Sequence, residues 1–462
     1  MALSLFALKK VRKSTLPFLV AVLLAGALTP AAEAGAPRDP EIATMVREVD
    51  ARNLGRIIAK LASFGTRHTL SSQDDPARGI GAARDWIHDE LSRIAATSGG
   101  RMTVEKQSFV QPVSPRVPAP TVITNVVATL RGTQDASAGR TYVVSGHYDS
   151  RCTDVMNATC DAPGADDDAS GVAVAIEAAR VMATRTFDAT VVFMAVAGEE
   201  QGLYGSAHFA QQAKQQGVDV QGMFTNDIVG SADGENGRDA RAVRVFSEGV
   251  PTSETPAQAS VRQSVGGEND GVSRQLARFV HETAARYVPW FDARLYYRRD
   301  RYLRGGDQIP FLQQGYAAVR FTEVHEDYRH QHQDVRVEDG VQYGDLLSFV
   351  ENDYVARVTQ VNLAALAALA RAPRSPARAA IVTSRLTNDT DLRWDANPEP
   401  DISGYEVVWR DTTEPTWTHS RFVGNVTAYT VEGLSKDNYQ FGVRAVDRQG
   451  HRSPVSYPTP AT

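Results

Sequence analysis

The chain has 462 residues, of which 42% are apolar and 23% are charged. This composition is that of a globular protein of two or three domains with a large buried core, and it excludes a disordered or membrane-embedded chain. The formal net charge of −6 argues against nucleic acid as a partner, because phosphate binding requires a basic surface.

Residues 1–34 have the three parts of an export signal. Basic residues at 9–13 precede an apolar run from Leu16 to Leu28, and Ala32-Glu33-Ala34 has the small-residue pattern of a cleavage site. The apolar run is too short to cross a bilayer comfortably, and an N-terminal membrane anchor is the alternative. We predict a signal peptide at 1–34, a secreted or periplasmic protein, and no stable membrane insertion after signal removal.

Helical periodicity extends over residues 35–62 and resumes after Asp75-Pro76, ending at Gly99-Gly100. Two extended segments follow, at 102–110 and 121–130. Strand patterns at 141–144, 190–197, 222–227 and 317–321 then alternate with helical patterns at 171–182, from about 205, at 273–287 and at 343–370. Residues 230–272 read as an insertion or long loops with an extended piece at 243–246. This alternation predicts an α/β domain over residues 35–372, with a mostly parallel mixed sheet flanked by helices on both faces.

Residues 373–379 read as a linker, and residues 380–462 switch to short strands and turns. Trp394 on an early strand, Tyr405 on the next, and Leu434 with Tyr439 before a late strand resemble a fibronectin type III domain. The resemblance implies an all-β immunoglobulin-like sandwich. Such modules serve many functions, so an unknown protein or a polysaccharide is left open as its partner.

The chain contains two cysteines, Cys152 and Cys160. In an exported protein, cysteines this close in sequence favour a local disulfide. Metal ligation is the alternative, although two lone cysteines do not make a zinc site. A disulfide here would hold the loop between two of the motifs described next.

Acidic and imidazole side chains gather where the predicted strands end. His147 and Asp149 follow the strand at 141–144, and their spacing puts both side chains on one face of an extended chain. Glu199 and Glu200 follow the apolar strand at 190–197, where adjacent carboxylates suit a metal ligand beside a general base. Asp227 ends the strand at 222–227. Because ligands bind at the carboxyl ends of parallel strands, these side chains are expected to converge.

Two further clusters extend the pattern. Asp166-Asp167-Asp168 precedes a predicted helix, and although one carboxylate can cap a helix, three in a row indicate a cation. His330, His332 and Asp334 follow the strand at 317–321. Each cluster alone is explained as a cap or as surface charge. Together they predict a metal site, because carboxylate and imidazole are ligands that suit zinc.

These motifs also resemble a known family. Gly-His-Tyr-Asp at 146–149, Gly-Ala-Asp-Asp-Asp-Ala-Ser-Gly at 164–171, Gly-Glu-Glu-Gln-Gly-Leu-Tyr-Gly-Ser at 198–206, Asn226-Asp227 and the late His-x-x-x-Asp are similar to the co-catalytic zinc aminopeptidases. That family includes secreted bacterial aminopeptidases, related carboxypeptidases and the glutaminyl cyclases. The resemblance covers roughly residues 40–370 and implies a peptide substrate and two Zn²⁺ ions per chain.

The resemblance also implies a role for each site residue. The implied zinc ligands are His147 and Asp227 for one ion, Glu200 and His330 for the other, and Asp167 as the bridge between them. Glu199 would be the general acid and base, and Asp149 would orient His147. The spacing to Asp334 favours His330 over His332 as the late ligand.

Two positions depart from the family pattern. Asp168 stands where the family often has Asn, and the added charge would tighten metal binding or tune the pocket for the substrate amine. Gln308, in Asp307-Gln308-Ile309-Pro310-Phe311, stands where the family often has His. No catalytic role is assigned to Gln308 on this ground.

The basic run Arg298-Arg299-Asp300-Arg301-Tyr302-Leu303-Arg304 has two interpretations. It is either a solvated loop or the source of an arginine that contacts a substrate carboxylate, since guanidinium binds carboxylates in a bidentate manner. The second interpretation would point to a carboxypeptidase or to a dipeptide substrate.

We therefore predict an exported zinc-dependent exopeptidase that removes N-terminal residues from peptides by means of a metal-activated water and the base Glu199. Carboxypeptidase and glutaminyl cyclase are the alternatives on the same fold, and the cyclase would need only one functional metal. A catalytically inactive, metal-stabilised binding protein is the alternative from another class. The presence of Glu199 argues against it, because a binding protein needs no base beside a metal ligand.

Overall fold

A computed structural model describes residues 38–461 of the chain. The predicted export signal at 1–34 lies outside the described residues. Within them, no helix is both long enough and apolar enough to cross a membrane.

The α-helices, in chain order, are α1 (Pro40–Arg47), α2 (Ala51–Ala62), α3 (Ile80–Ala95), α4 (Ala169–Met182), α5 (Glu199–Gly202), α6 (Tyr204–Gln215), α7 (Pro256–Val265), α8 (Val272–Tyr287), α9 (Gln308–Gln313) and α10 (Asn352–Arg371). The strands are β1 (Met102–Gln111), β2 (Thr121–Leu130), β3 (Arg140–His147), β4 (Thr190–Val196), β5 (Asp219–Asn226), β6 (Asp233–Gly234), β7 (Gly237–Arg238), β8 (Ala242–Ser247), β9 (Asp292–Tyr296), β10 (Ala318–Thr322), β11 (Arg336–Glu338), β12 (Val341–Tyr343), β13 (Ala380–Val382), β14 (Thr390–Arg393), β15 (Ile402–Asp411), β16 (His419–Gly424), β17 (Ala428–Val431), β18 (Tyr439–Asp447) and β19 (Thr459–Ala461).

The large sheet has eight strands in the order β1-β2-β4-β3-β5-β10-β8-β9. The four central strands, from β4 to β10, are parallel to one another. β1 and β2 pair antiparallel at one side, and β8 pairs antiparallel with β10 at the other. The predicted mostly parallel mixed sheet is therefore confirmed.

Helices cover both faces of this sheet, which is why β3 and β4 are buried along their whole length. Successive side chains of a strand point to opposite faces. Val143 packs in the cluster that contains residues of α6 and α9, whereas its neighbours Tyr142 and Val144 pack in the larger cluster with α2, α4 and α10. The sheet thus separates two hydrophobic cores, one on each face.

The C-terminal part forms two packed sheets, β17-β14-β13-β19 and β16-β15-β18. Between them lies a core that includes Trp394, Tyr405, Val407 and Phe441. The rings of Trp394 and Tyr405 lie 5.4 Å apart, as the sequence pattern of an immunoglobulin-like sandwich leads one to expect.

The structure differs from the predicted elements in two places. The long helix predicted from Tyr343 begins only at Asn352, because Gly344 has a φ of +106° that a helix cannot accommodate. In the region 230–272, the extended piece predicted at 243–246 is present as β8 of the main sheet, but the exposed helix α7 was not predicted.

Candidate metal centre

The predicted site residues meet at the carboxyl ends of adjacent parallel strands. His147 is the last residue of β3, Asp227 directly follows β5, and Glu199 and Glu200 begin α5 just after β4. The strand order β4-β3-β5 puts these ends side by side. Asp167 reaches the same point from the loop that precedes α4.

Five of the side chains form two groups that share one carboxylate. Asp167 Oδ1 lies 3.1 Å from His147 Nε2, which is 3.9 Å from Asp227 Oδ1. Asp167 Oδ2 lies 2.9 Å from His332 Nε2, which is 3.1 Å from Glu200 Oε1. In each group the possible ligand atoms all lie within 4.8 Å of one another. Asp167 thus presents one oxygen to each group.

The electrostatics of these groups fit a divalent cation. Burial opposes charge on His332, but Glu200 and Asp167 raise its pKa to about 10. Asp168, Asp149 and Asp167 likewise raise the pKa of His147 well above its ordinary value, against the effect of its burial. Among residues 38–461, Glu200 Oε1 is one of the few buried side-chain oxygens with no hydrogen bond. Imidazole nitrogens, carboxylate oxygens and an unsatisfied oxygen aimed into the group are what a zinc site requires.

Asp149 supports the centre in two ways. Its backbone carbonyl lies 3.1 Å from His147 Nδ1, and its carboxylate lies 3.5 Å from the same nitrogen, so Nε2 is left facing Asp167. The carboxylate also accepts hydrogen bonds from the Thr69 hydroxyl at 2.9 Å and from the Glu200 backbone N–H at 3.1 Å. Asp149 therefore fixes both the imidazole and the turn that carries the two glutamates.

Asp168 connects the three segments that carry Asp167, His147 and Asp227. It is the N-cap of α4 and accepts the Gly171 N–H at 3.0 Å. Its other oxygen accepts the His147 backbone N–H at 2.9 Å, and the Ile228 N–H, next to Asp227, lies 3.4 Å from the first. Asp168, which departs from the family pattern, thus accepts hydrogen bonds from the backbone and belongs to neither ligand group.

Glu199 and four of the five candidate ligands, Asp167, Glu200, Asp227 and His332, border a cavity of about 310 Å³. Burial raises the pKa of Glu199 well above its ordinary value, and the nearby carboxylates of Asp227 and Glu200 act in the same direction. Asp307, which the sequence analysis left unassigned, adds to this negative field, and burial raises its own pKa to about 7. A carboxyl that can hold a proton near neutral pH beside a metal centre has the properties of a general acid and base.

The structure corrects the choice of the late histidine. His330 is not brought to the centre: its ring stacks on Phe349 at 3.7 Å between centroids, and its Nε2 lies 3.8 Å from Asp327. His332 occupies the second group instead. Asp334, whose spacing favoured His330, receives the Thr153 backbone N–H at 3.2 Å. The spacing could not identify the ligand, because this segment is irregular and His332 itself has a left-handed backbone with a φ of 58°.

Two arginines in contact with the ligands were missed by the sequence analysis. Arg320 of β10 is fully buried, and its Nη1 lies 2.6 Å from Asp227 Oδ2. Arg151 lies 3.1 Å from Glu200 Oε2 through Nε and 2.7 Å from His332 Nδ1 through Nη2. The sequence did offer a sign: Arg320 is the one charged residue in the apolar strand pattern at 317–321, and a buried charge requires a partner of opposite charge.

A parallel-centred α/β sheet with a carboxylate and imidazole cluster at its strand ends is the architecture of a zinc metallopeptidase. Comparison with known proteins agrees. Residues 125–339 match the model of peptidase family M28, and residues 375–462 match that of the fibronectin type III domain.

Two relatives are similar over most of their length. A probable zinc metalloprotease of Leptosphaeria maculans is 50% identical over 423 residues, which cover 91% of this chain and 97% of the relative. A probable zinc metalloprotease of Pyricularia oryzae is 52% identical over 429 residues, covering 91% and 85%. The chain belongs to peptidase family M28 and carries a C-terminal fibronectin type III domain, as its motifs led us to expect.

Solved structures agree in fold. An aminopeptidase of Legionella pneumophila superposes with a TM-score of 0.50 at 18% identity, covering 72% of this chain and 75% of that one. An aminopeptidase from Aneurinibacillus sp. strain AM-1 gives 0.50 at 15% identity, covering 71% and 96%. At such identities the likeness concerns the fold of the catalytic domain alone.

Proposed function

We propose that this metallopeptidase is an aminopeptidase that uses two zinc ions to remove N-terminal residues from peptides. The observation that carries the proposal is Asp167, whose two oxygens lie 3.1 Å and 2.9 Å from the imidazoles of two separate ligand groups. A single carboxylate shared in this way suits a pair of neighbouring cations.

Each ion would have three protein ligands. His147, Asp167 and Asp227 would hold one ion, and Asp167, Glu200 and His332 would hold the other. Bound zinc ions supply Lewis acidity and lower the pKa of water, which makes a nucleophile available at neutral pH.

Glu199 would move the proton of the reaction. Its carboxylate takes a proton from the attacking water and returns it to the amine nitrogen of the leaving peptide. The raised pKa of Glu199 supports this role, because burial and the neighbouring carboxylates make its carboxylate a stronger proton acceptor than an exposed glutamate. Arg320 and Asp149 would keep the ligands in position through the contacts described above.

We propose further that the enzyme is exported, to the periplasm or the medium. The support is the basic start, the apolar run and the small-residue cleavage pattern within residues 1–34. The disulfide between Cys152 and Cys160 is consistent with an oxidising compartment.

The Glu199→Gln variant tests the catalytic proposal. We expect kcat on aminoacyl p-nitroanilides to fall by about a hundredfold or more, because the base is lost, while the zinc content measured by mass spectrometry stays at two per chain. Peptides blocked by N-acetylation should resist the wild type. Activity retained by the variant would remove Glu199 from its role, equal cleavage of blocked peptides would exclude an aminopeptidase, and release of pyroglutamyl peptides from N-terminal glutamine would favour a cyclase.

A further inference from the structure

The cavity beside the metal centre has an unusual wall. Its lining includes Glu199, four of the five candidate ligands, and four arginines: Arg116, Arg151, Arg301 and Arg304. Its volume of about 310 Å³ is at the small end of the range for ligand pockets. A short segment of peptide would therefore lie within reach of several guanidinium groups.

Two of these arginines come from the loop between β9 and α9. Leu303, which stands between Arg301 and Arg304, has a left-handed backbone with a φ of 56° and is 92% exposed. A leucine rarely adopts this conformation, and Leu303 is exposed to solvent while Arg301 and Arg304 line the cavity. The loop thus presents its charges to the cavity.

The charge of these two arginines is incompletely balanced. Glu326 contacts three guanidinium groups, those of Arg244 at 2.7 Å, Arg301 at 3.0 Å and Arg304 at 3.0 Å. Arg301 has a second carboxylate partner in Asp300, but the other contact of Arg304 is the neutral amide of Gln331. Arg304 therefore keeps unbalanced positive charge at the cavity wall.

Arg116 adds a second unbalanced charge from a different loop. Its Nη1 donates to the backbone carbonyl of Glu200 at 2.8 Å, and among residues 38–461 it makes no ion pair. The loop that carries it is held by Ser114, whose hydroxyl lies 2.6 Å from the Tyr204 hydroxyl. Arg116 is thus anchored beside a candidate metal ligand with its charge available.

The sign of the field decides what the cavity binds. The lining carboxylates other than Glu199 are candidate zinc ligands, whose charge bound cations would compensate. The guanidinium groups would then dominate the remaining field. Guanidinium is planar and weakly hydrated, and it binds carboxylates through paired hydrogen bonds.

We propose that Arg116 and Arg304 bind a carboxylate of the peptide substrate, so that the enzyme prefers peptides that bring a negative charge into the cavity. This inference rests on the proposed peptidase function and names the substrate class of the same site. The carboxylate is either the free C-terminus of a short peptide or an acidic side chain. The same chemistry recognises both, and the substrates below separate them.

The test compares three substrates of one length. They are leucyl-alanine as the free acid, leucyl-alanine as the C-terminal amide, and leucyl-aspartate with its α-carboxyl amidated. We expect kcat/KM for the free acid to exceed that for the alanine amide by about ten- to a hundredfold, the range of a charge-assisted hydrogen bond. A rate on the aspartyl amide that matches the free acid would show that a side-chain carboxylate is accepted as well as the C-terminus, and a rate that matches the alanine amide would show that only the C-terminus is recognised. A fast aspartyl amide beside equal rates on the other two would assign the site to a side chain.

Variants connect this preference to the two arginines. Arg116→Met and Arg304→Met should each lower kcat/KM for the free acid and leave that for the alanine amide nearly unchanged. Arg298→Met is the matched control, because Arg298 belongs to the same basic run but is exposed and lies over Tyr302. Equal rates on all three substrates, or an equal loss on charged and uncharged substrates in the two variants, would overturn the proposal.

Binding separates this proposal from the catalytic one. Titration calorimetry of the zinc-loaded Glu199→Gln protein with the same three peptides measures recognition without turnover. Tighter binding of the acid than of the alanine amide supports the carboxylate site even if the wild type cleaves none of the peptides. Equal binding of all three peptides overturns it even if cleavage by the wild type establishes an aminopeptidase.

Discussion

His330 and His332 lie two residues apart, yet their side chains have different surroundings. His332 lies among the carboxylates of Asp167 and Glu200, and His330 stacks on Phe349. We expect His332→Ala to lower the zinc content of the purified protein from two ions towards one and to reduce kcat by more than about a hundredfold. Mass spectrometry after exhaustive dialysis and rates on an aminoacyl p-nitroanilide would measure both.

His330→Ala is the matched control for this prediction. It should keep both zinc ions and most of the activity, and should lose about 1 kcal/mol of unfolding free energy with the aromatic contact. The opposite pattern, in which zinc is lost from His330→Ala and kept by His332→Ala, would restore the ligand suggested by the sequence spacing.

The residues that sequence could predict are those whose place follows from strand ends. His147, Glu200 and Asp227 end or follow strands of a parallel sheet, so periodicity alone brings them to one edge. His332 lies in an irregular loop and has a left-handed backbone, so no helical or strand periodicity indicates which side chain of the loop faces the site. Arg320 could be predicted as buried, but its pairing with Asp227 depends on the register of β10 against β5, which the sequence does not give.

At the scale of elements, the loop closed by the Cys152–Cys160 disulfide supports the second ligand group. The pairing predicted from sequence is confirmed. Arg151, directly before the bridge, contacts Glu200 and His332. Thr153, directly after Cys152, exchanges hydrogen bonds with Asp334 at 3.2 Å and 3.0 Å. Cys152 lies between the two residues that contact the His332 segment, so the disulfide restrains the part of the loop that makes these contacts.

Replacing both cysteines by serine should have one general and one local effect. The unfolding free energy should fall by about 2–3 kcal/mol, because a short loop is no longer closed in the unfolded chain. Affinity for the zinc at Asp167, Glu200 and His332 should weaken by about tenfold, as expected for the loss of supporting contacts, while the other ion is held as before. Denaturant titration and competition with a zinc chelator measure the two effects, and equal weakening of both ions would contradict the local role of the loop.

Other elements were predictable where local chemistry and pattern agree. The buried strands β3 and β4 follow from continuous apolar runs, and the start of α4 follows from its acidic cap. The predicted start of α10 at Tyr343 is nine residues too early. The predicted helix included Gly344, whose φ of +106° lies outside the helical region. The helix α7 was not predicted, and none of its residues is buried.

At the scale of the whole molecule, the fibronectin type III domain packs against the catalytic domain through buried charge. Asp270, before α8, pairs with Arg278 of α8 at 2.8 Å and with Arg410 of β15 at 2.7 Å. Both guanidinium groups also lie over the ring of Trp417. The Pro415 carbonyl accepts a hydrogen bond from Arg278 at 2.7 Å and another from the Tyr297 hydroxyl.

This interface bears on the site, because Tyr297 directly precedes the basic run that reaches the cavity. The fibronectin type III domain therefore helps to hold the segment that leads into the basic run. Whether it also binds a protein or a polysaccharide stays a prediction from its fold.

Asp270 is the member of this network on which the packing of the two domains depends most. Its single carboxylate balances two guanidinium groups that are each nearly inaccessible to solvent. We expect Asp270→Asn to lower the unfolding free energy by about 3–5 kcal/mol, because two buried cations would lose their counter-charge. Arg410→Met should cost less, since it leaves Asp270 paired with Arg278. Asp395→Asn, which breaks the exposed pair with Arg378, should stay within about 0.5 kcal/mol of the wild type. Guanidinium chloride titration of the three variants measures these differences, and a cost for Arg410→Met as large as that for Asp270→Asn would show that contact area, and not charge balance, holds the domains together.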